Sequence, residues 1–186
     1  QRQMCIRDRG EGRAEQRFLS AVTHKGMLTL WDTVTAQAER VYELAGEYGL
    51  AHHMLAPILT AALAAGHDAV ACPDPMAPER LAHLIFPDLS LAFVTSTQEV
   101  PWPHRAYRRL RLDAMADQDA YRINRPRLRF AKRVAAALLD EGVAGLAQAK
   151  EAHDRLEKLY NPYVDFDGVA RTADQVADEV LALRDE

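Results

Sequence analysis

The stretch that decides the fold is Arg40–Leu55, RVYELAGEYGLAHHML. Arg40–Leu44 alternates as a strand does, AGEYGLAHH is a glycine-containing loop, and Met54–Ala65 (MLAPILTAALAA) is an apolar helical run closed by Gly66 as its C-terminal cap. Pro57 is comfortable only in a first helical turn, so the regular helix is expected from Ala56. Downstream, Asp68–Cys72 reads as a short buried strand and Pro73–Pro78 as a proline-rich turn. Glu79–Ile85 reads as a short helix and Leu89–Thr95 as a strand covered on both faces. The order strand, loop, helix, strand, helix, strand predicts a parallel sheet with right-handed crossovers and helices packed on it. Upstream, Phe18–Val22 and Met27–Trp31 are apolar runs split by His24, Lys25 and Gly26, as in a hairpin, and Thr33–Glu39 reads as a short helix.

The texture changes after residue 100. Val100–His104 (VPWPH) is irregular because of its two prolines, and Arg108–Leu112 alternates basic and apolar residues like an edge strand. Residues 119–159 are helical in pattern, as two helices or one kinked at Pro126 or near Gly142 and Gly145. Thr172–Leu183 is a final amphipathic helix with Thr172 as N-cap. The expected class is therefore α/β: a three-layer parallel sheet over residues 18–118 with a C-terminal helical extension, 119–186, packing on it.

Composition bounds what this chain is. With 186 residues, 48% apolar, 27% charged and a net charge of −4, it is an ordinary globular sequence. Collagen-like, disulfide-framed and wholly disordered chains are excluded. No apolar stretch is long enough to span a bilayer, so no membrane partner is expected. Cys5 and Cys72 lie far apart, which favours a reduced, cytoplasmic setting. Residues 1–9 (QRQMCIRDR) have neither periodicity nor a targeting pattern and read as adapter-derived sequence; without them the net charge becomes −6, and residues 10–17 read as a linker. A natural chain extending further upstream is the corresponding expectation.

A strand, a glycine loop and a helix in that order frame a phosphate-binding loop. Glycines let backbone N–H groups curl around phosphate oxygens, and the helix N-terminus favours the anion. The complete pattern, GxxxxGK[ST], adds a Lys for the outer phosphates and a hydroxyl for Mg²⁺. Here the loop is Gly46-Glu47-Tyr48-Gly49-Leu50-Ala51-His52-His53. Gly46 and Gly49 fit, whereas Ala51, His52 and His53 stand at the second glycine, the Lys and the hydroxyl. Histidine is shorter than lysine and largely neutral at pH 7, and imidazole is a poor ligand for a hard ion.

The chain also resembles, in order, phrases of an uncharacterised bacterial family of ATPase-like, tandem P-loop proteins. The phrases are SAVTHKGMLTLWDTV at 20–34, VYELAGEYG at 41–49, CPDPMAPERLAHLIFPDLSLAFVTS at 72–96 and AKEAHDRLEKLYNPYVDFDGV at 149–169. The resemblance implies a P-loop NTPase-like fold, binding of ATP with Mg²⁺, and a partner in the N-terminal half of the same protein. Residues 46–53 would then be the nucleotide-binding loop, with the phosphate tools lost from this half. The implied activity is ATP hydrolysis by the full protein and weak or absent hydrolysis by this part. The alternative is a pseudo-NTPase module that packs against and regulates a catalytic half.

Other residues were weighed for chemistry. The strand run ending in Thr95-Ser96-Thr97 has no acid until Glu99, so a Mg²⁺-holding Asp is missing there. His52 and His53 are adjacent and chelate poorly, and Cys72 with His83 has no second pair to complete a zinc site, so no metal site is assigned. Asp32 and Asp113 sit near strand ends, where open α/β sheets place ligands, and the resemblance implies that His104, after VPWP, stands in a loop that holds a His in that family. Residues 105–133 carry ten Lys+Arg against three Asp+Glu, and residues 134–186 carry five against twelve. Arg105, Arg108, Arg109 and Arg111, beside Trp102 and Tyr107, could hold nucleic acid, but pairing with the acidic C-terminal segment is the favoured reading and nucleic acid is not an expected partner.

Overall fold

The computed structural model describes residues 10–183. Residues 1–9, Cys5 among them, lie outside the described residues. The chain divides into two compact units, one ending at Val143 and one beginning at Ala144.

The first unit is a mixed α/β fold. Its sheet is built from β1 (Ala14–Gln16), β4 (Arg40–Ala45), β5 (Ala69–Asp74), β6 (Ala77–Phe86), β7 (Leu91–Ser96) and β8 (Arg108–Arg111) in the order β1-β5-β6-β7-β4-β8. A separate antiparallel hairpin, β2 (Ser20–Thr23) and β3 (Gly26–Thr29), turns at Gly26, whose φ of 103° suits only glycine. Helix α1 spans Trp31–Gln37 and α2 spans Ala51–Ala64. β1 runs parallel to β5, and β7, β4 and β8 are mutually parallel. β6 is antiparallel to both of its neighbours, so it alone is reversed within the sheet.

Alternation along the strands sorts the core onto two faces. Val41, Cys72, Ile85, Ala92 and Val94 point to one side, beneath Val34 of α1, Leu19 and Trp102. Leu44, Ala71, Leu84, Phe86 and Phe93 point to the other, beneath Ala51 and Leu55 of α2. Leu44, Leu55 and Leu84 are fully buried, each contributing roughly 1.5–3 kcal/mol by leaving water. The sheet is thus covered on both faces, as the sequence suggested.

Several expectations are corrected. Glu79–Ile85 is the middle of strand β6, and the β5–β6 connection is a tight turn in which Asp74 Oδ1 accepts from the Met76 N–H. The segment is rich in helix formers, but Leu84, Ile85 and Phe86 are each at most 1% exposed between β5 and β7, and that pairing outweighs propensity. Helix α2 begins at Ala51, five residues before the expected start, with Pro57 inside it. Burial of Ala51 and Leu55 on the sheet offsets the hydrogen bond that Pro57 cannot make. Residues 14–16, read as linker, form β1, held at its entrance by the Gly12 N–H on the Leu63 carbonyl (2.8 Å).

Helix α3 (Gln118–Tyr160) is a single element despite Pro126 and begins in the first unit, where Asp117 accepts from the N–H groups of Asp119 and Ala120. The second unit holds the end of α3 and helix α4 (Phe166–Ala182). The N-cap of α4 is Asp165, whose Oδ1 accepts from the Gly168 N–H at 2.8 Å; Thr172, the expected cap, is about two turns further on and bonds the Gly168 carbonyl. Among the described residues no helix is long and apolar enough to cross a membrane.

Candidate functional site

β4 is an interior strand, flanked on both sides by parallel neighbours, so the ends of β4, β7 and β8 open at one edge of the sheet. Open α/β sheets place ligands at this carboxyl edge. The loop 46–50 lies there, beside a cavity of about 530 Å³ lined by Gly46, Glu47, Ser96, Gln98, Arg111 and Asp113, among others. The glycine loop thus leaves β4, the strand next to the edge strand β8, and leads into α2 at this edge.

The first two amides of the loop are engaged from within the chain. The Gly46 N–H donates to the Ser96 carbonyl (3.1 Å), tying β4 to β7. The Glu47 N–H donates to both carboxylate oxygens of Asp113, at 3.0 Å and 3.2 Å. An anion thus already sits on this amide, and it belongs to the protein. A Cβ at Gly46 would lie 3.0 Å from Asp113 Oδ1, so any larger residue there would push the carboxylate back from the loop. Gly49 adopts φ 67°, the left-handed conformation that turns the chain into α2. The N-cap position, Leu50, offers no side-chain acceptor to the first amides of α2.

Glu47 reaches across the loop. Its Oε1 accepts from the Gln98 N–H (2.6 Å) and its Oε2 from Lys132 Nζ (2.7 Å), which also meets Glu99 Oε1 at 3.0 Å. Burial would raise the Glu47 pKa, but the Lys132 hydrogen bond, the Gln98 N–H and the Lys132 charge together hold it below the usual value. The hydrogen bonds that Lys132 donates to Glu47 and Glu99 raise its pKa. Tyr48 shares a 2.8 Å hydrogen bond with the Tyr121 hydroxyl, and its pKa is pushed up to about 12, mainly by that bond.

The two histidines do not serve the loop. His52 Nδ1 accepts from the Leu81 N–H (3.0 Å), so the ring is directed at β6 and not at the position of a bound phosphate. His53 is exposed, with its ring 5.7 Å from that of His52. Ala51 is buried against the sheet. The hydroxyls at the end of β7 are also engaged: Thr95 Oγ1 bonds the Ala82 carbonyl, and Thr97 Oγ1 accepts from the Val100 N–H. Among the described residues no group of three His, Cys, Asp or Glu side chains gathers to hold a metal ion.

Of the other residues weighed from sequence, Asp113, Arg109 and Arg111 line the cavity. Asp32 sits in the first turn of α1, and His104 is exposed with its ring 5.1 Å from that of Trp102; neither lines the cavity. Cys72 is buried, and burial pushes its thiol pKa up to about 11. Sequence reasoning missed Glu43, Lys132 and Gln118. Glu43 is 8% exposed in β4, accepts from Ser96 Oγ at 2.6 Å and lies 3.3 Å from Arg109 Nε. A glutamate inside the apolar alternation Val41-Tyr42-Glu43-Leu44 was the available signal; Lys132 carried none, being 85 residues from its partner.

No protein family, no curated protein and no solved structure matches the chain.

Proposed function

We propose that this chain is a P-loop-like module whose anion cradle is closed by its own carboxylates, a pseudo-NTPase module that serves an ATPase-like assembly by packing on a catalytic half and leaves hydrolysis to it. The observation that carries the reading is the Asp113 carboxylate on the Glu47 N–H, where an incoming phosphate would need that amide. Glu47 adds a second negative charge at the cavity rim, compensated by Lys132. A triphosphate entering here would meet two carboxylates, while the lysine beside the loop, Lys132, is paired with Glu47 and Glu99 and His52 is committed to β6. The loop has no serine or threonine for Mg²⁺, and its one hydroxyl, on Tyr48, is bonded to Tyr121, so the charge developing on a transferred phosphoryl group goes unneutralised.

The second reading keeps ATP, with Mg²⁺, as a ligand of Gly46–His53. It is favoured by the uncapped start of α2, the left-handed Gly49 and the two arginines, Arg109 and Arg111, on the cavity wall. Isothermal titration of the chain with Mg-ATP, alongside a phosphate-release assay, separates the two. The pseudo-NTPase reading expects neither heat nor turnover at millimolar nucleotide. Saturable micromolar binding overturns it in favour of the second reading, and turnover that disappears on Gly46→Val overturns it outright.

A further inference from the structure

The helical segments carry two exposed apolar stripes that match one another. In the first unit, Tyr121, Leu128, Lys132 and Leu139 mark the half-buried side of α3. Its opposite side presents Ile123 (76% exposed), Phe130 (62%), Val134 and Leu138 (69%) to solvent. In the second unit, α4 presents Val169 (60% exposed), Val176 (51%) and Val180 (60%), with Ala173 and Ala177 filling the face between them. Stripes of this size on helices are rarely left in water.

The two stripes agree in spacing, length and charge. Ile123, Phe130 and Val134 are separated by seven and then four residues, and so are Val169, Val176 and Val180. The matched triplets Ile123–Val134 and Val169–Val180 therefore each run about 16 Å along their helices, at 1.5 Å per residue. Beside the α3 stripe lie Arg122, Arg129 and Arg133; beside the α4 stripe lie Asp167, Asp174 and Asp178, again at seven and four. Arg129 and Arg133 have no carboxylate partner among the described residues of their own unit, and Arg122 has only the exposed Asp119. From Gln118 to Leu139 α3 carries six basic residues against one acidic, whereas α4 carries four acidic against one basic.

Chain length argues against the same molecule supplying the cover. Five residues separate Tyr160 from Phe166, and α4 folded back along α3 from there spans 17 residues, ending near residue 143 and short of Leu138. We propose that the occupant is a second copy of this chain: α4 of each molecule docks on the Ile123–Leu138 stripe of the other, the arginines of α3 facing the aspartates of α4. The exchange is reciprocal and closes as a two-fold dimer.

Sedimentation velocity of the full chain over a wide concentration series tests this. The expected result is a mass that doubles as concentration rises. Val176→Asp with Val180→Asp should return the chain to a monomer with its helical circular dichroism retained. Arg129→Glu with Arg133→Glu in one chain, and Asp174→Lys with Asp178→Lys in another, should each abolish self-association. An equimolar mixture of those two chains should recover the dimer, and added salt should weaken the recovery. A single-chain mass at every concentration overturns the proposal, as does a dimer indifferent to the valine pair. A mixture that stays monomeric overturns the arginine–aspartate pairing.

Discussion

Lowering the pH should cost this protein stability through His83, and the size of the loss follows from where the ring sits. His83 is 5% exposed in β6, opposite Cys72 on β5 and Val94 on β7. Its Nδ1 accepts the Thr95 N–H at 3.1 Å, and the Trp31 ring meets it edge-on at 5.5 Å. Protonation would set two donors against each other and leave a charge in the core. Burial accordingly lowers its pKa from 6.5 to about 4. The folded state therefore binds fewer protons than the unfolded one. The stabilisation is complete above pH 6.5 and is lost as pH falls toward 4, where the loss levels off. That gap corresponds to about 3 kcal/mol, a large share of a typical domain's 5–15 kcal/mol. The assay is urea unfolding followed by tryptophan fluorescence from pH 7.5 to pH 4 for the natural chain and for His83→Gln, whose amide can accept the same N–H without titrating. The natural chain should lose about 3 kcal/mol more than the variant over this range. Parallel stability curves for the two would refute the reasoning.

Further outcomes follow from the same structure. Asp113→Ala frees the Glu47 N–H, and should cost about 1 kcal/mol in urea unfolding while admitting inorganic pyrophosphate that the natural chain excludes in calorimetry. Ser96→Ala removes the short bond to the buried Glu43 carboxylate, and its unfolding free energy should fall by about 1–3 kcal/mol. Leu55→Ala empties a fully buried position beneath α2, with an expected loss of roughly 2–5 kcal/mol by thermal or urea unfolding. Gly12→Ala places a Cβ 2.2 Å from the His67 carbonyl oxygen, so the chain entering β1 must shift and the unfolding midpoint should drop by an equivalent of about 1–3 kcal/mol.

The parts legible in the sequence are those encoded locally. Strand β4, the glycine turn and the apolar body of α2 were readable because alternation, Gly46–Gly49 and the run from Met54 signal them within one window. Strand β6 was not, since Ala77–Phe86 contains Glu79, Arg80, Leu81 and Ala82, and only its place between β5 and β7 makes it extended. β1 was hidden for the opposite reason: three exposed residues, Ala14–Gln16, carry no pattern at all. In the candidate site, the loop was identifiable while its occupants were not. Asp113 and Lys132 reach Glu47 from 66 and 85 residues away, a meeting arranged by the sheet order and the start of α3.

The reversed strand has a consequence for how the molecule comes into being. β5, β6 and β7 follow one another without a crossover and can zip together as soon as residue 96 is synthesised. β4 is made before them yet finds its neighbours only later, since Arg40 pairs with Leu91 and Tyr42 with Arg108. Until then a nascent chain carries Val41 and Leu44 as an unsatisfied ribbon, the stage at which intermolecular strand pairing competes. The crevice should accordingly be the last feature to acquire protection in pulse-labelled hydrogen exchange, with β6 amides slowing before those of β4; the reverse order would show that the long-range pairing nucleates folding.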